Sequence, residues 1–129
     1  MRFELIDQVL EKTDNRLVGI KNVTSGEEYL GDHFPGFPIM PGVMMLETLA
    51  QGGRLLVGGR DSACAIPLSI SQVKQVKYGS MVKPGQSLRI EVTLKKTEQV
   101  GEGRCYEFIG VGYVGDQVAV KGRFSLSTI

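Results

Sequence analysis

The order of apolar patterns along the chain predicts an α+β fold, a long central helix wrapped by a curved antiparallel sheet. Three observations carry that expectation. The stretch from about Gly42 to Ala50 is apolar nearly all round, which marks a helix that must be buried. One strand-like segment precedes it, and after Ala63 the pattern turns from helical to alternating. With 129 residues, 42% hydrophobic and 22% charged, the chain has the size and composition of one globular domain spanning 1–129.

Taken in order, Met1 to Lys12 reads as a short helical or turn segment, because Phe3, Leu5, Ile6, Val9 and Leu10 form a helix-like stripe. Thr13-Asp14-Asn15 is a turn cluster. Arg16 to Thr24 reads as the first strand, with Leu17, Val18, Ile20 and Val23 as its apolar content. The central helix follows a proline-broken loop. Gly52, Gly53, Gly58 and Gly59 fall in its second half. An interior glycine costs about 1 kcal/mol against alanine, so either the helix ends early or a close contact needs the missing side chains. Ala63 to Tyr78 is strand-like, with breaks at Gly79-Ser80 and Pro84-Gly85. Leu88, Ile90, Val92 and Leu94 alternate with Arg89, Glu91 and Thr93 in the cleanest strand. Gly103 to Val114 is another strand, and Gly115-Asp116 suits a hairpin turn. The last strand is expected to face Val118, Val120, Phe124 and Leu126 one way and Gln117, Lys121, Arg123 and Ser125 the other.

Chemistry concentrates in Gly31 to Gln51, GDHFPGFPIMPGVMMLETLAQ. His33 is the only histidine of the chain, a base that titrates near neutral pH. Glu47 is a single acid among Val43, Met44, Met45, Leu46, Leu49 and Ala50. Together they make an acid–base couple. Pro35, Pro38 and Pro41 restrict the loop, and Gly36 and Gly42 allow close backbone approach. Pro41-Gly42 stands where a helix starts, so the N–H groups of the first turn are available to a ligand carbonyl. Each residue also has a plainer reading. His33 is then a loop histidine bonded to a backbone carbonyl, Glu47 a carboxylate paired with Arg54 or Gln51, and Gly42 a turn glycine. Tyr78 either lines a tunnel or packs in the core, and Met40, Met44 and Met45 serve an adaptable wall or simple packing equally well.

The run HFPGFPIMPGVMMLETLAQ resembles the signature of the 3-hydroxyacyl-[acyl-carrier-protein] dehydratases of the hot-dog-fold Z type. That family has His-Phe-Pro-Gly, then Met-Pro-Gly-Val, then a helical Glu followed by Ala-Gln; here Glu47 comes fourteen residues after His33, the family spacing. Val76-Lys77-Tyr78 and Val82-Lys83-Pro84-Gly85 resemble its second landmark. The resemblance implies a single hot-dog domain over 1–129 and an enzyme that dehydrates (3R)-3-hydroxyacyl thioesters on acyl carrier protein to trans-2-enoyl thioesters. It implies His33 and Glu47 as catalytic, the Gly42 N–H as oxyanion donor, and Phe34, Met40, Met44 and Tyr78 along the substrate tunnel. No cofactor is implied beyond the phosphopantetheine that carries the substrate. A homodimer with His and Glu of one site from different subunits is implied, and trimers of such dimers are common in the family. Three departures stand out: the N-terminal opening lacks the usual Pro, Gly31-Asp32 replaces Gln-Gly, and Gly79-Ser80 replaces a basic pair. A specialised lipid or polyene pathway is therefore an alternative to housekeeping fatty-acid synthesis. A hot-dog thioesterase and a non-catalytic acyl-carrier-binding module are alternatives of other classes.

Composition narrows the rest. A net charge of +1 exerts no global pull on nucleic acid, membrane or acidic partner. An acidic carrier would need a local basic patch, for which Lys74, Lys77, Lys83, Lys95 and Lys96 are candidates unless they are simply solvated strand faces. Cys64 and Cys105 lie in apolar strand-like runs and are expected as buried free thiols. With no apolar run of spanning length and no apolar N-terminal region, a cytoplasmic location is expected. One histidine and no spaced ligand cluster argue against a metal. Gly110 to Gly115 fits G-x-G-x-x-G but ends a strand rather than opening a helix, so it is not a dinucleotide site.

Overall fold

The computed structural model describes residues 5–23, 40–58, 68–101 and 103–128. Six strands and one helix are built from them: β1 (Gln8–Lys12), β2 (Arg16–Asn22), α1 (Gly42–Gly58), β3 (Ser69–Tyr78), β4 (Ser87–Val100), β5 (Gly103–Val114) and β6 (Gln117–Ser127). The strands form one antiparallel sheet in the order β1-β2-β4-β5-β6-β3. Residues of α1 touch four of them: Gly52 lies against Leu17, Ile90 and Val92, and Gly53 against Phe108 and Leu126. A single helix reaches β2, β4, β5 and β6 in this way only if the sheet curves around it, as the apolar helix pattern requires.

The glycine question raised by the sequence resolves as close approach at Gly52 and Gly53, while the helix ends at Gly58 and Gly59 lies outside the described residues. A Cβ on Gly52 would stand 2.9 Å from Ile90 Cδ1, and one on Gly53 3.1 Å from Leu126 Cδ1. On the sheet side, a Cβ on Gly110 would meet Leu49 Cδ1 at 3.0 Å. Glycines on both partners therefore let helix and sheet approach. The core beneath α1 contains Leu17, Leu49, Leu56, Leu88, Ile90, Val92 and Leu126, with Phe108 and Phe124 stacked at 5.2 Å between ring centroids. Leu88, Ile90 and Val92 are fully buried, as their alternation predicts.

Four expectations are corrected. Gln8–Lys12 is a strand, not a helix or turn, and all five residues are exposed. The Thr13 turn, closed by the Thr13 N–H on the Arg16 carbonyl at 2.8 Å, folds β1 back onto β2. Ladder pairing outweighs a weak helical stripe there. Val118 faces out and is 40% exposed, while Ala119 is buried. Gly112 pairs with Val120 but Tyr113 with Val118, so Ala119 is an extra residue and the facing pattern flips across it. The helix is covered on one side only: Val43 is 65% and Leu55 46% exposed. Cys105 is a free thiol that is half-buried rather than fully buried; Cys64 lies outside the described residues. Gly115, at φ 59°, makes the expected β5–β6 hairpin turn. None of the described helices is long and apolar enough to cross a membrane.

Candidate active site

The N-terminus of α1 and the end of β3 meet. Pro41 sets the chain into the helix, and its carbonyl accepts the N–H groups of Met44 and Met45 at 3.0 and 3.1 Å. The N–H groups of Gly42 and Val43 precede the first intrahelical donors and have no acceptor among the described residues. The Tyr78 ring lies over this point: a Cβ on Gly42 would stand 2.9 Å from its Cε1 and Cζ. Tyr78 itself is 53% exposed, so it is not a core aromatic. A positive helix end, two donors unbonded among the described residues and an aromatic wall meet here, an arrangement with the chemistry to hold an anionic oxygen.

The methionines divide. Met40 is fully buried and its N–H donates to the Val82 carbonyl at 2.8 Å; Met45 is buried as well. Met44 is half-buried against the core. Glu47 projects from the less covered side of the helix, its side chain about a third exposed at 32%. It does not sit in the apolar setting suggested by its sequence neighbours. The pairing offered by the plainer reading is made: Arg54 Nη1 donates to Glu47 Oε1 at 2.6 Å. Arg54 Nε in turn donates to the Leu68 carbonyl at 2.8 Å, just ahead of β3. A spacing of seven residues is about two helical turns, so this pair was legible in the sequence. The Leu68 anchor was not. Gln51 Oε1 accepts the Leu5 N–H at 2.8 Å and ties the N-terminal segment to the helix.

His33 and Phe34 lie outside the described residues. Gly42, Met44, Glu47 and Tyr78 are thus placed on or against one helix, while Met40 belongs to the core beside it. Among the described residues, no three His, Cys, Asp or Glu side chains group in a way that could hold a metal ion. The Gly79-Ser80 departure has a packing explanation. The N–H groups of Gly79 and Ser80 donate to the Ala119 and Val118 carbonyls at 2.9 Å. A Cβ on Gly79 would stand 2.3 Å from the Val118 oxygen.

A family model described as FabA-like domain matches residues 1–123. The 3-hydroxyacyl-[acyl-carrier-protein] dehydratase FabZ of Pelotomaculum thermopropionicum is 37% identical over 123 residues, covering 94% of this chain and 84% of that protein. The FabZ of Bacillus pumilus is 37% identical over 128 residues, covering 97% and 85%. Among solved structures, the dehydratase heterocomplex ApeI:P from Xenorhabdus doucetiae superposes with a TM-score of 0.78 at 20% identity, covering 98% of this chain and 83% of that one. Thioesterase superfamily member 2 from Mus musculus superposes with a TM-score of 0.65 at 13% identity, covering 95% and 81%. At those identities the two structures speak to the fold alone.

Proposed function

Because the chain belongs to the FabA-like domain family, we propose that it dehydrates (3R)-3-hydroxyacyl thioesters carried on acyl carrier protein to trans-2-enoyl thioesters. The observation that carries this reading is the Gly42 N–H, without an acceptor among the described residues, at the start of the helix that bears Glu47, in a chain 37% identical to named dehydratases over 94% of its length.

In the forward direction His33 takes a proton from C2. The electron pair of that C–H bond forms the C2–C3 double bond, and the C3–O bond breaks. Glu47 delivers a proton to the departing hydroxyl, which leaves as water. The charge that develops on the thioester oxygen rests on the Gly42 N–H at the positive helix end, a preorganised donor that needs no rearrangement during the reaction. A proton returned from His33 to Glu47 through solvent resets the pair. Phe34, Met44 and Tyr78 line the acyl tunnel in this reading, with Met40 packed in the core beside it, and the substrate's own phosphopantetheine arm is the only group required beyond the protein. The uncovered apolar face of α1 supports a homodimer in which His33 and Glu47 of one site come from different subunits, with assembly into trimers of dimers as the larger form.

The test is incubation of purified protein with crotonyl-carrier protein, following enoyl absorbance and product mass. Addition of water, abolished in both His33→Ala and Glu47→Ala, is the expected result. Release of crotonate with a free thiol would replace the dehydratase by a thioesterase. Binding without turnover, unaltered by His33→Gln, would replace it by a carrier-binding module.

A further inference from the structure

The outer face of the β3–β6 pair carries an unusual arrangement of charge. Lys74 pairs directly with Arg123, and Lys77 with Lys121. All four side chains are exposed, and none forms an ion pair with a carboxylate of the described residues. Like charges placed opposite one another on neighbouring strands destabilise a sheet. Here two such pairs follow one another along the ladder.

The backbone between them is also irregular. Lys74 and Lys77 are three residues apart, and in a regular strand they would point to opposite faces. The ladder skips from Lys74↔Arg123 to Lys77↔Lys121, so Gln75 and Val76 together stand opposite the single residue Gly122. Gln75 has φ 54°, the only positive value among described residues other than glycine. A Cβ on Gly122 would stand 2.8 Å from Val76 Cγ2, which places Val76 on the inner side. The bulge thus turns Lys77 onto the face that Lys74 already occupies. A left-handed glutamine and two repulsive pairs both work against stability, and both serve to gather four cations on one surface. Lys96, another candidate for a basic patch, is instead paired with Glu98 at the far end of β4.

We propose that Lys74, Lys77, Lys121 and Arg123 form the docking surface for the acidic carrier protein. The inference rests on the dehydratase reading and names where its partner binds. Lys77 is followed by Tyr78, whose ring covers Gly42, so the row ends one residue along β3 from the wall of the candidate site, on the opposite face of the strand. Complementary charge there steers the carrier and sets its orientation. It also relocates docking away from Gly79-Ser80, which packing against β6 keeps small.

The test is the double variant Lys121→Glu/Arg123→Glu, assayed with one acyl group on carrier protein and on free pantetheine. The expected result is a KM at least tenfold higher for the carrier substrate, an unchanged KM for the pantetheine thioester, and a melting temperature equal to or above that of the wild type. The last follows because each substitution turns a repulsive cross-strand pair into an attractive one. An unchanged KM for the carrier substrate, or equal losses with both substrates, would overturn the proposed surface while leaving the reaction intact. If the wild type turns over neither substrate, the reaction fails instead. The surface is then decided by anisotropy of fluorescently labelled holo-carrier, whose affinity must fall at least tenfold in the double variant.

Discussion

Arg54 ties the candidate acid Glu47 to the segment ahead of β3. Its guanidinium spans from Glu47 Oε1 at 2.6 Å to the Leu68 carbonyl at 2.8 Å, so one carboxylate oxygen is held, and in the proposed reaction the other serves the substrate. Both partners are about one-third exposed, so the pair adds little to global stability. If Glu47 is the acid, the effect of the pair belongs to positioning, where a small misplacement costs roughly a hundredfold in rate. Arg54→Ala is expected to lower kcat by about 10- to 100-fold with KM little changed. Guanidinium at millimolar concentration should restore part of that rate, whereas urea should not. Full activity in the variant would reduce Arg54 to a surface partner.

At the scale of elements, the seating of α1 depends on the absence of side chains. Gly52→Ala introduces a carbon 2.9 Å from Ile90 Cδ1 and 3.0 Å from Val92 Cγ2. Overpacking of this kind costs about 1–3 kcal/mol. Ile90→Val removes the nearest atom, so the double variant should lose less stability in urea than the sum of the single losses. Strict additivity would mean that the helix shifts rather than strains. This contact was half legible: the glycines announce either a helix end or a close neighbour, and the sequence does not say which. The same holds for β6, where alternation assigned Val118 inward and a one-residue bulge turned it out. Bulges depend on how two strands meet, and neither strand carries that information alone.

For the whole molecule, the uncovered side of α1 is the dominant feature. Val43 and Leu55 are exposed on a helix whose other face is core, and β3 is an edge strand with Val73 42% exposed. Apolar groups left on an edge strand and a helix face suit burial by a second copy. If sites are shared between subunits, mixed His33→Ala and Glu47→Ala chains, unfolded and refolded together, should regain activity that neither shows alone. Random assortment makes half of the dimers mixed, each with one intact site, so about a quarter of wild-type activity is the expected ceiling. No recovery would place both residues of a site in one chain.

The sequence by itself determined the fold class, the central helix, most strands and the hairpin at Gly115-Asp116, because periodicity and turn chemistry are local properties of the chain. It also determined the candidate acid, the helix-start glycine and their order, since Gly42 and Glu47 belong to one continuous segment. Only the tertiary structure decided that Tyr78 covers Gly42, that Arg54 is anchored to Leu68, and that β1 is a strand. It alone gathered Lys74 and Lys77 with Lys121 and Arg123, residues more than forty positions apart. Those facts arise from strand pairing and side-chain packing across long sequence separations, and no local pattern encodes which distant residue will be the neighbour.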